Sequence, residues 1–189
     1  GPVLILAGPG AGKTRVLVGR LQGLLEKGAP PQELLAVTFT RRAAGELRER
    51  LGAALPRLSD LPQCDTLHGL AWGLLRATEP QSLLLAEDAA LRLFSAANAH
   101  MPARRLRSLW DALSLARETQ QTPTAGSELA KAAHRYSQRK TARSDLRYVD
   151  YADLLDWLLE HAAGLNGRWR HVLVDEVQDL SPVQLAVLR

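Results

Sequence analysis

The clearest chemical signature in the sequence lies near its start, where glycines precede a lysine and a threonine. The segment Ala7–Thr14 reads AGPGAGKT and fits the phosphate-loop pattern GxxxxGK[ST], except that alanine occupies the first position. Glycines let backbone N–H groups converge on phosphate oxygens, Lys13 adds a positive charge, and the Thr14 hydroxyl can bind Mg²⁺. The segment therefore predicts a site for ATP and Mg²⁺. The predicted nucleotide-binding residues here are Ala7, Gly8, Pro9, Gly10, Ala11, Gly12, Lys13, Thr14 and Arg15.

A second group of reactive side chains lies near the end of the chain. Asp175 and Glu176 directly follow the run His171–Val174. Asp175 would bind Mg²⁺, directly or through water, and Glu176 would act as a general base or orient the attacking water. With Lys13, these two acids are the predicted catalytic residues. The alternative is that both are surface acids that cap the next helix.

The elements around these two groups predict a parallel sheet. Short apolar runs bounded by glycine, proline or polar residues are typical of buried parallel strands, and apolar residues spaced at three and four are typical of helices. The predicted strands are residues 3–6, 34–39 and 171–174, and the predicted helices beside them are residues 13–27, 43–55 and one that begins at Pro182. Strands that alternate with helices predict an α/β fold, a P-loop sheet flanked by helices with ligands at the carboxyl ends of its strands.

A long, mostly helical insertion interrupts this pattern. The predicted helices are residues 67–76, 87–98, 104–118, 127–139 and 150–161, which Pro or Gly residues separate. We therefore expect an ATP-binding domain over residues 1–66 and 164–189, and an insertion subdomain over residues 67–163. The four tryptophans are expected to pack in the core or between domains. They are Trp72, Trp110, Trp157 and Trp169.

Composition and charge fit an ordinary globular protein. The chain is 46% hydrophobic and 23% charged, and its net charge of +4 only mildly favours a polyanionic partner. A single cysteine, Cys64, excludes an internal disulfide and favours the cytoplasm. No apolar run approaches the roughly 18 residues of a membrane span. The chain opens with Gly-Pro and stops inside an apolar pattern at Arg189, so we expect both ends to be cuts.

Four segments, in order along the chain, resemble the motifs of UvrD/Rep-type superfamily 1 DNA helicases. AGPGAGKT is similar to the first motif of their first RecA-like motor domain, and Val174–Asp179 (VDEVQD) is similar to their acid motif. Ala36–Leu47 is similar to their TFT-AA segment, and Asp65–His68 to their TFH segment. A nucleoside kinase or a simple GTPase would not show this order or the long insertion. The resemblance implies a RecA-like fold.

The resemblance also implies contacts with single-stranded DNA. Phe39, Thr40 and Arg41 would form one contact, and Thr66 with His68 another, at the carboxyl edge of the sheet. Hydroxyls and arginines suit phosphates, and an aromatic ring can stack on a base without sequence preference. Core packing is the alternative for Phe39, and a structural hydrogen bond is the alternative for His68.

Some positions extend or depart from the family's pattern. Gln178 and Asp179 resemble the family's paired polar residues after the acid motif, which link nucleotide state to the DNA-binding side, and solvent-facing helix capping is the alternative. We include Gln178 among the nucleotide-binding residues. The family has Asn and Lys at the positions of Arg41 and Arg42, and Phe at that of Leu67. These changes argue against base stacking near Leu67 but keep phosphate contact, because arginine binds phosphate at least as well as lysine.

Two basic clusters lie in the predicted insertion. We interpret them as solvated faces, and contact with duplex DNA is the alternative that the resemblance implies. They comprise Arg104, Arg105 and Arg107, and Arg135, Arg139, Lys140 and Arg143.

The resemblance implies the motor domain of an ATP-dependent DNA helicase that translocates along single-stranded DNA, typically 3′ to 5′. A second RecA-like domain, in the same full-length protein or in a partner subunit, would complete the ATPase site, so we expect this chain to be incomplete for unwinding by itself. One alternative is a nucleotide-dependent DNA-binding or clamp module without helicase activity. Another is a P-loop ATPase that acts on protein or RNA.

Overall fold

The computed structural model describes residues 3–6, 12–142 and 145–189, so the predicted phosphate-loop residues Ala7–Ala11 and the basic residue Arg143 lie outside the described residues. The chain divides into two compact units, residues 1–69 with 163–180, and residues 70–162 with 181–189. The helices are α1 (Lys13–Glu26), α2 (Arg41–Ala54), α3 (Leu67–Thr78), α4 (Glu87–Ala97), α5 (Ala103–Glu118), α6 (Glu128–Lys140), α7 (Tyr151–His161) and α8 (Pro182–Val187). The strands are β1 (Leu34–Val37), β2 (Gln63–Asp65), β3 (Ser82–Leu84), β4 (Arg147–Val149) and β5 (His171–Val174).

A three-stranded parallel sheet forms the centre of the first unit, in the order β2-β1-β5. All four residues of β1 are buried, because neighbouring strands pair with both of its edges and helices pack on it. This explains why β1 reads as a continuous apolar run and not as an alternating one. Side chains from α1, β1, α2 and β2 form one core cluster, which contains Leu21, Leu24, Leu34, Ala36, Leu47, Leu51 and Cys64.

The prediction of a strand over Val3–Leu6 is wrong. The segment has no strand structure, and its four side chains are between 60% and 86% exposed. A parallel strand exists only where a neighbour pairs with its N–H and C=O groups. None of the strands within the described ranges lies beside this segment. An apolar run indicates a tendency to be buried, but it does not specify the strand that would bury it.

The predicted helices all form, because their end signals act as expected. Ser127, Asp150 and Ser181 accept backbone N–H groups at the starts of α6, α7 and α8. Asp150 and Asp153 complete a capping box, in which each side chain bonds the other residue's backbone. Pro182 occupies the first turn of α8, where its missing N–H costs nothing.

Three strands were not predicted. β2, β3 and β4 have only three residues each, which is too short for a periodic signal. β3 and β4 pair in parallel inside the second unit. The predicted insertion is therefore mostly helical but includes a small sheet of its own.

Aromatic side chains fill the core of the second unit. Phe94, Trp110 and Tyr136 pack with ring centroids 5.3–5.7 Å apart and tilted planes, the arrangement that aromatic quadrupoles favour. Trp157 on α7 is also buried. The other two tryptophans, Trp72 and Trp169, are half-buried, and each has an arginine over its ring.

An ionic network ties α5 and α6 to the start of α7. Arg117 on α5 donates hydrogen bonds to the carboxylates of Asp150, Asp153 and Asp156 at 2.6–3.2 Å. Lys140, the last residue of α6, donates to Asp150 and Asp153 at 2.5–3.2 Å. The buried cations are thus neutralised by a cluster of acids that also caps a helix.

Among the described residues, every helix falls short of the length and hydropathy that a membrane crossing requires.

Candidate active site

The three strands of the first unit end at one edge of their sheet, close to one another. The Thr38 N–H, just after β1, donates to the carbonyl of Asp65 at 3.0 Å, and the Asp175 N–H, just after β5, donates to the carbonyl of Val37 at 2.8 Å. Because carboxyl ends of parallel strands face the same way, residues that follow each strand share this edge.

Lys13 and Glu176, 163 positions apart in the sequence, form an ion pair at this edge. The Lys13 Nζ lies 2.7 Å from the Glu176 Oε2. Gly12 immediately precedes α1 with φ 81°, a left-handed conformation that favours glycine. This conformation turns the chain into α1 directly before Lys13. Arg15, the next residue, is exposed.

Glu176 has an unusual backbone conformation. Its φ of 50° and ψ of 46° place a non-glycine residue in the left-handed region, which costs on the order of 1 kcal/mol. The Gln178 Nε2 donates to Glu176 Oε2 at 2.6 Å, so the oxygen that accepts from Lys13 also accepts from Gln178. The short 3₁₀ turn Val177–Asp179 supplies this second donor.

The acids and the lysine perturb one another's ionisation. The hydrogen bond to Glu176 raises the pKa of Lys13. The same bond lowers the pKa of Glu176, and the hydrogen bond from Gln178 lowers it further. Burial raises the pKa of Asp175, and the charge of Glu176 raises it further. At neutral pH the Lys13 ammonium therefore faces a charged Glu176 carboxylate.

Two half-buried residues could hold Mg²⁺ together with phosphates, as the sequence predicts. Thr14 contributes a hydroxyl and Asp175 a carboxylate, both from half-buried residues. Within the described ranges there is no cluster of three or more His, Cys, Asp or Glu side chains placed to hold a metal ion. Mg²⁺ does not need one, because it keeps several waters and takes further oxygens from the phosphates of its substrate.

The structure places Phe39 and Thr40 between β1 and α2, and Arg41 is the first residue of α2. The Phe39 side chain is 54% exposed, so the core-packing alternative does not hold for it. Thr40 caps α2, since its Oγ1 accepts the Ala43 N–H at 3.1 Å. Arg41 is exposed in the first turn of α2. An aromatic ring and a guanidinium thus project from one exposed turn.

Thr66 and His68 are less accessible than this turn. Thr66 is only 8% exposed, and its Oγ1 accepts the Gly69 N–H at 3.0 Å. His68 is half-buried, and burial lowers its pKa. Both residues lie at the sheet edge, but the Thr66 hydroxyl serves as the cap of α3.

Sequence reasoning did not identify Asp65 as a residue of this edge. Asp65 Oδ1 accepts the Thr66 N–H at 2.8 Å, and the carboxylate lies against the backbone of Gly69. A Cβ added at Gly69 would lie 2.8 Å from the Asp65 Cγ, so any side chain at residue 69 would require the carboxylate to shift. The available signal was a glycine in the first turn of an otherwise apolar helix, which indicates a close approach.

A parallel sheet flanked by helices, with a lysine at a helix start that meets an acid pair at the end of a strand, defines the RecA-like α/β class. Comparison with known proteins narrows this class to a family. The family model described as "UvrD/REP helicase N-terminal domain" matches residues 1–189, and the chain belongs to this family.

Similar proteins carry helicase names. DNA helicase II of Escherichia coli strain K12 is 33% identical over 99% of this chain and 29% of its own length. ATP-dependent DNA helicase UvrD2 of Mycobacterium tuberculosis strain H37Rv is 32% identical over the whole of this chain and 32% of its own length. ATP-dependent DNA helicase PcrA of Staphylococcus aureus strain Mu50 is 43% identical, but over 40% of this chain and 10% of its own. The chain therefore spans about a third or less of these relatives.

Proposed function

We propose that this chain is the ATP-binding motor domain of an ATP-dependent DNA helicase that translocates along single-stranded DNA in the 3′ to 5′ direction. The supporting observation is the ion pair between Lys13 and Glu176, because it joins two distant motifs at the carboxyl edge of a parallel sheet. The motor domain would comprise residues 1–66 and 164–189, with residues 67–163 as its insertion.

In this proposal each residue of the edge has a separate task. Lys13 leaves Glu176 and binds the phosphates of ATP, together with backbone N–H groups of the loop that ends at Gly12. Thr14 and Asp175 would hold Mg²⁺, and the ion would supply positive charge that neutralises the phosphates. Glu176, freed from Lys13, orients or deprotonates the attacking water, and Gln178 positions its carboxylate.

DNA would bind along the same edge. Phe39 stacks on a base and Arg41 contacts a phosphate, while Thr66 and His68 lie next to them at the end of β2. The hydrogen bonds from Thr38 to Asp65 and from Asp175 to Val37 join these residues to the acid pair. Binding of nucleotide and binding of DNA would therefore influence each other through adjacent strand ends.

A second RecA-like domain would complete the catalytic site. Arginines supplied from such a domain stabilise charge on the transferred phosphate, and an arginine of this kind is worth about 10³–10⁵ in rate. We therefore expect the chain alone to bind ATP and hydrolyse it slowly, and not to separate strands.

The test is Mg²⁺-dependent ATP turnover by the purified chain, with and without single-stranded DNA, together with titration of a fluorescent ATP analogue. Lys13→Ala should weaken nucleotide binding about tenfold or more, because a charge-assisted phosphate contact is lost. Lys27→Ala is the matched control, since it removes an exposed lysine just after the same helix. Equal nucleotide binding by both variants would contradict the proposed phosphate site, and strand separation by the isolated chain would contradict its incompleteness.

A further inference from the structure

The start of α3 already holds a carboxylate. A helix N-terminus attracts anions because its first N–H groups lack partners within the helix. Here the Thr66 Oγ1 accepts the Gly69 N–H, and the Asp65 Oδ1 accepts the Thr66 N–H. The protein itself therefore supplies the negative charge that this helix end attracts.

The Asp65 carboxylate is held in a defined position. Its backbone carbonyl accepts the Thr38 N–H at 3.0 Å, which fixes the end of β2 against the end of β1. On the other side, the carboxylate fits against Gly69 only because residue 69 has no Cβ. Two backbone contacts and one side-chain hydrogen bond thus keep a charge at the end of β2, beside the end of β1 that leads into the turn with Phe39 and Arg41.

We propose that Asp65 limits the binding of single-stranded DNA at this edge and directs the phosphate backbone toward Arg41. This inference rests on the proposed function, since it requires DNA to bind along the strand ends. A phosphate near Thr66 would meet the carboxylate of Asp65 and a hydroxyl that already caps α3. A phosphate near Arg41 meets an exposed guanidinium. Asp65 therefore determines which of two adjacent contacts the DNA uses.

The test is the affinity of the chain for a fluorescently labelled oligothymidylate, measured by anisotropy at several salt concentrations. Asp65→Asn removes the charge, keeps the side-chain shape and retains an oxygen that accepts the Thr66 N–H. We expect it to lower the Kd about two- to fivefold at low salt, since a unit charge several ångströms from a phosphate changes binding by this amount in a high dielectric. The gain in DNA affinity should disappear near 1 M salt, where interactions between charges more than about 3 Å apart are screened.

Asp60→Asn is the matched control, because Asp60 is an exposed aspartate in the same unit that precedes β2. It removes the same charge from the chain, so a gain in DNA affinity that only Asp65→Asn shows depends on the position of the charge. Thermal unfolding of both variants checks that they fold.

The possible failures are distinct. If the wild-type chain binds oligothymidylate and Asp65→Asn binds it equally or more weakly, the inference is wrong and the proposed function stands. If the gain of Asp65→Asn persists in high salt, or equals that of Asp60→Asn, a local charge is not the cause and the inference is also wrong. If no form binds single-stranded DNA while nucleotide binding depends on Lys13, the DNA part of the proposed function fails, and the inference fails with it.

Discussion

At the scale of single residues, Lys13 and Glu176 compensate each other's charge. In the proposed function each must be charged to act on a phosphate or on a water, and each lies in a half-buried environment. Their hydrogen bond satisfies both groups, and Gln178 adds a donor to the same carboxylate oxygen. The left-handed backbone of Glu176 directs its side chain to this meeting point at an energetic cost that the rest of the turn must offset.

The close approach of Asp65 and Gly69 gives a prediction about stability. Gly69→Ala should destabilise the protein by about 1–3 kcal/mol, because the new methyl group displaces the Asp65 carboxylate from the Thr66 N–H. The measurement is urea unfolding followed by circular dichroism. In an Asp65→Ala background the same substitution should cost much less, since the group it overlaps is gone.

Gly73→Ala is the matched control for this prediction. Gly73 lies one turn later in α3, and a Cβ there would meet nothing within 4 Å. Alanine is favoured over glycine in a helix interior by about 1 kcal/mol, so this variant should be more stable than the wild type. If Gly69→Ala were as stable as Gly73→Ala, the carboxylate would not be fixed against the helix.

At the scale of elements, the ionic network of α5, α6 and α7 depends on one aspartate. Asp150 caps α7, accepts hydrogen bonds from Arg117 and Lys140, and accepts the Tyr136 hydroxyl at 2.8 Å. Asp150→Ala should cost about 3–5 kcal/mol in urea unfolding, because removal of one partner leaves buried charges less compensated. Asp111→Ala, at an exposed position of α5, should change stability by about 0.5 kcal/mol or less. Similar costs for the two variants would contradict a structural role for the network.

The same network predicts a loss of stability in acid. Burial alone would raise the pKa of Asp150, but the charges of Arg117 and Lys140 lower it to about 2. A carboxylate whose pKa is lower in the folded state stabilises the protein above its unfolded pKa, near pH 4, and this contribution is lost as the pH falls toward 2. Unfolding free energy measured across this window should fall less in Asp150→Asn than in the wild type. An equal fall in both would assign the acid sensitivity to other carboxylates.

A structural feature could be predicted from the sequence where neighbouring residues determine it. Ser127, Asp150 and Pro182 fixed helix starts because caps act on neighbouring residues, and the family pattern placed Lys13 near the acid pair. The strand predicted over Val3–Leu6 does not form, and the three-residue strands were missed. Both errors arise because strand formation depends on partners far along the chain. The contact of Asp65 with Gly69, and the inward orientation of Lys140, depend on packing that spacing alone does not encode.

At the scale of the whole molecule, part of the positive charge is paired within the structure. Lysines and arginines total 24 against 20 acids, but several of them pair within the structure. In the predicted basic clusters, Arg105 pairs with Glu128, and Lys140 is buried against acids. Arg135 donates to Asn98 at 2.7 Å. Arg105 and Lys140 therefore add less free charge to these clusters than the sequence suggests, whereas the neutral Asn98 does not offset the charge of Arg135.

The distribution of charge predicts a weak salt dependence of DNA binding. With few phosphates contacted, the logarithm of the association constant should fall against the logarithm of salt concentration with a slope of about −1 to −3. The measurement is oligothymidylate anisotropy across a salt series. Arg41→Ala should reduce the magnitude of the slope by roughly one, because one phosphate contact is lost. A slope steeper than about −5 would mean that the basic clusters of the second unit also bind the strand.

In the strand order β2-β1-β5, a single strand separates the acid pair after β5 from Asp65 at the end of β2. Adjacent strands lie roughly 4.8 Å apart, so the end of β5 and the end of β2 are separated by roughly 10 Å with only β1 between them. β1 is buried and hydrogen-bonded to a strand on each side. In the proposed function, a shift of Asp175 on nucleotide binding would therefore act on Asp65 through this one strand, and no longer connection between the nucleotide and the DNA would be needed.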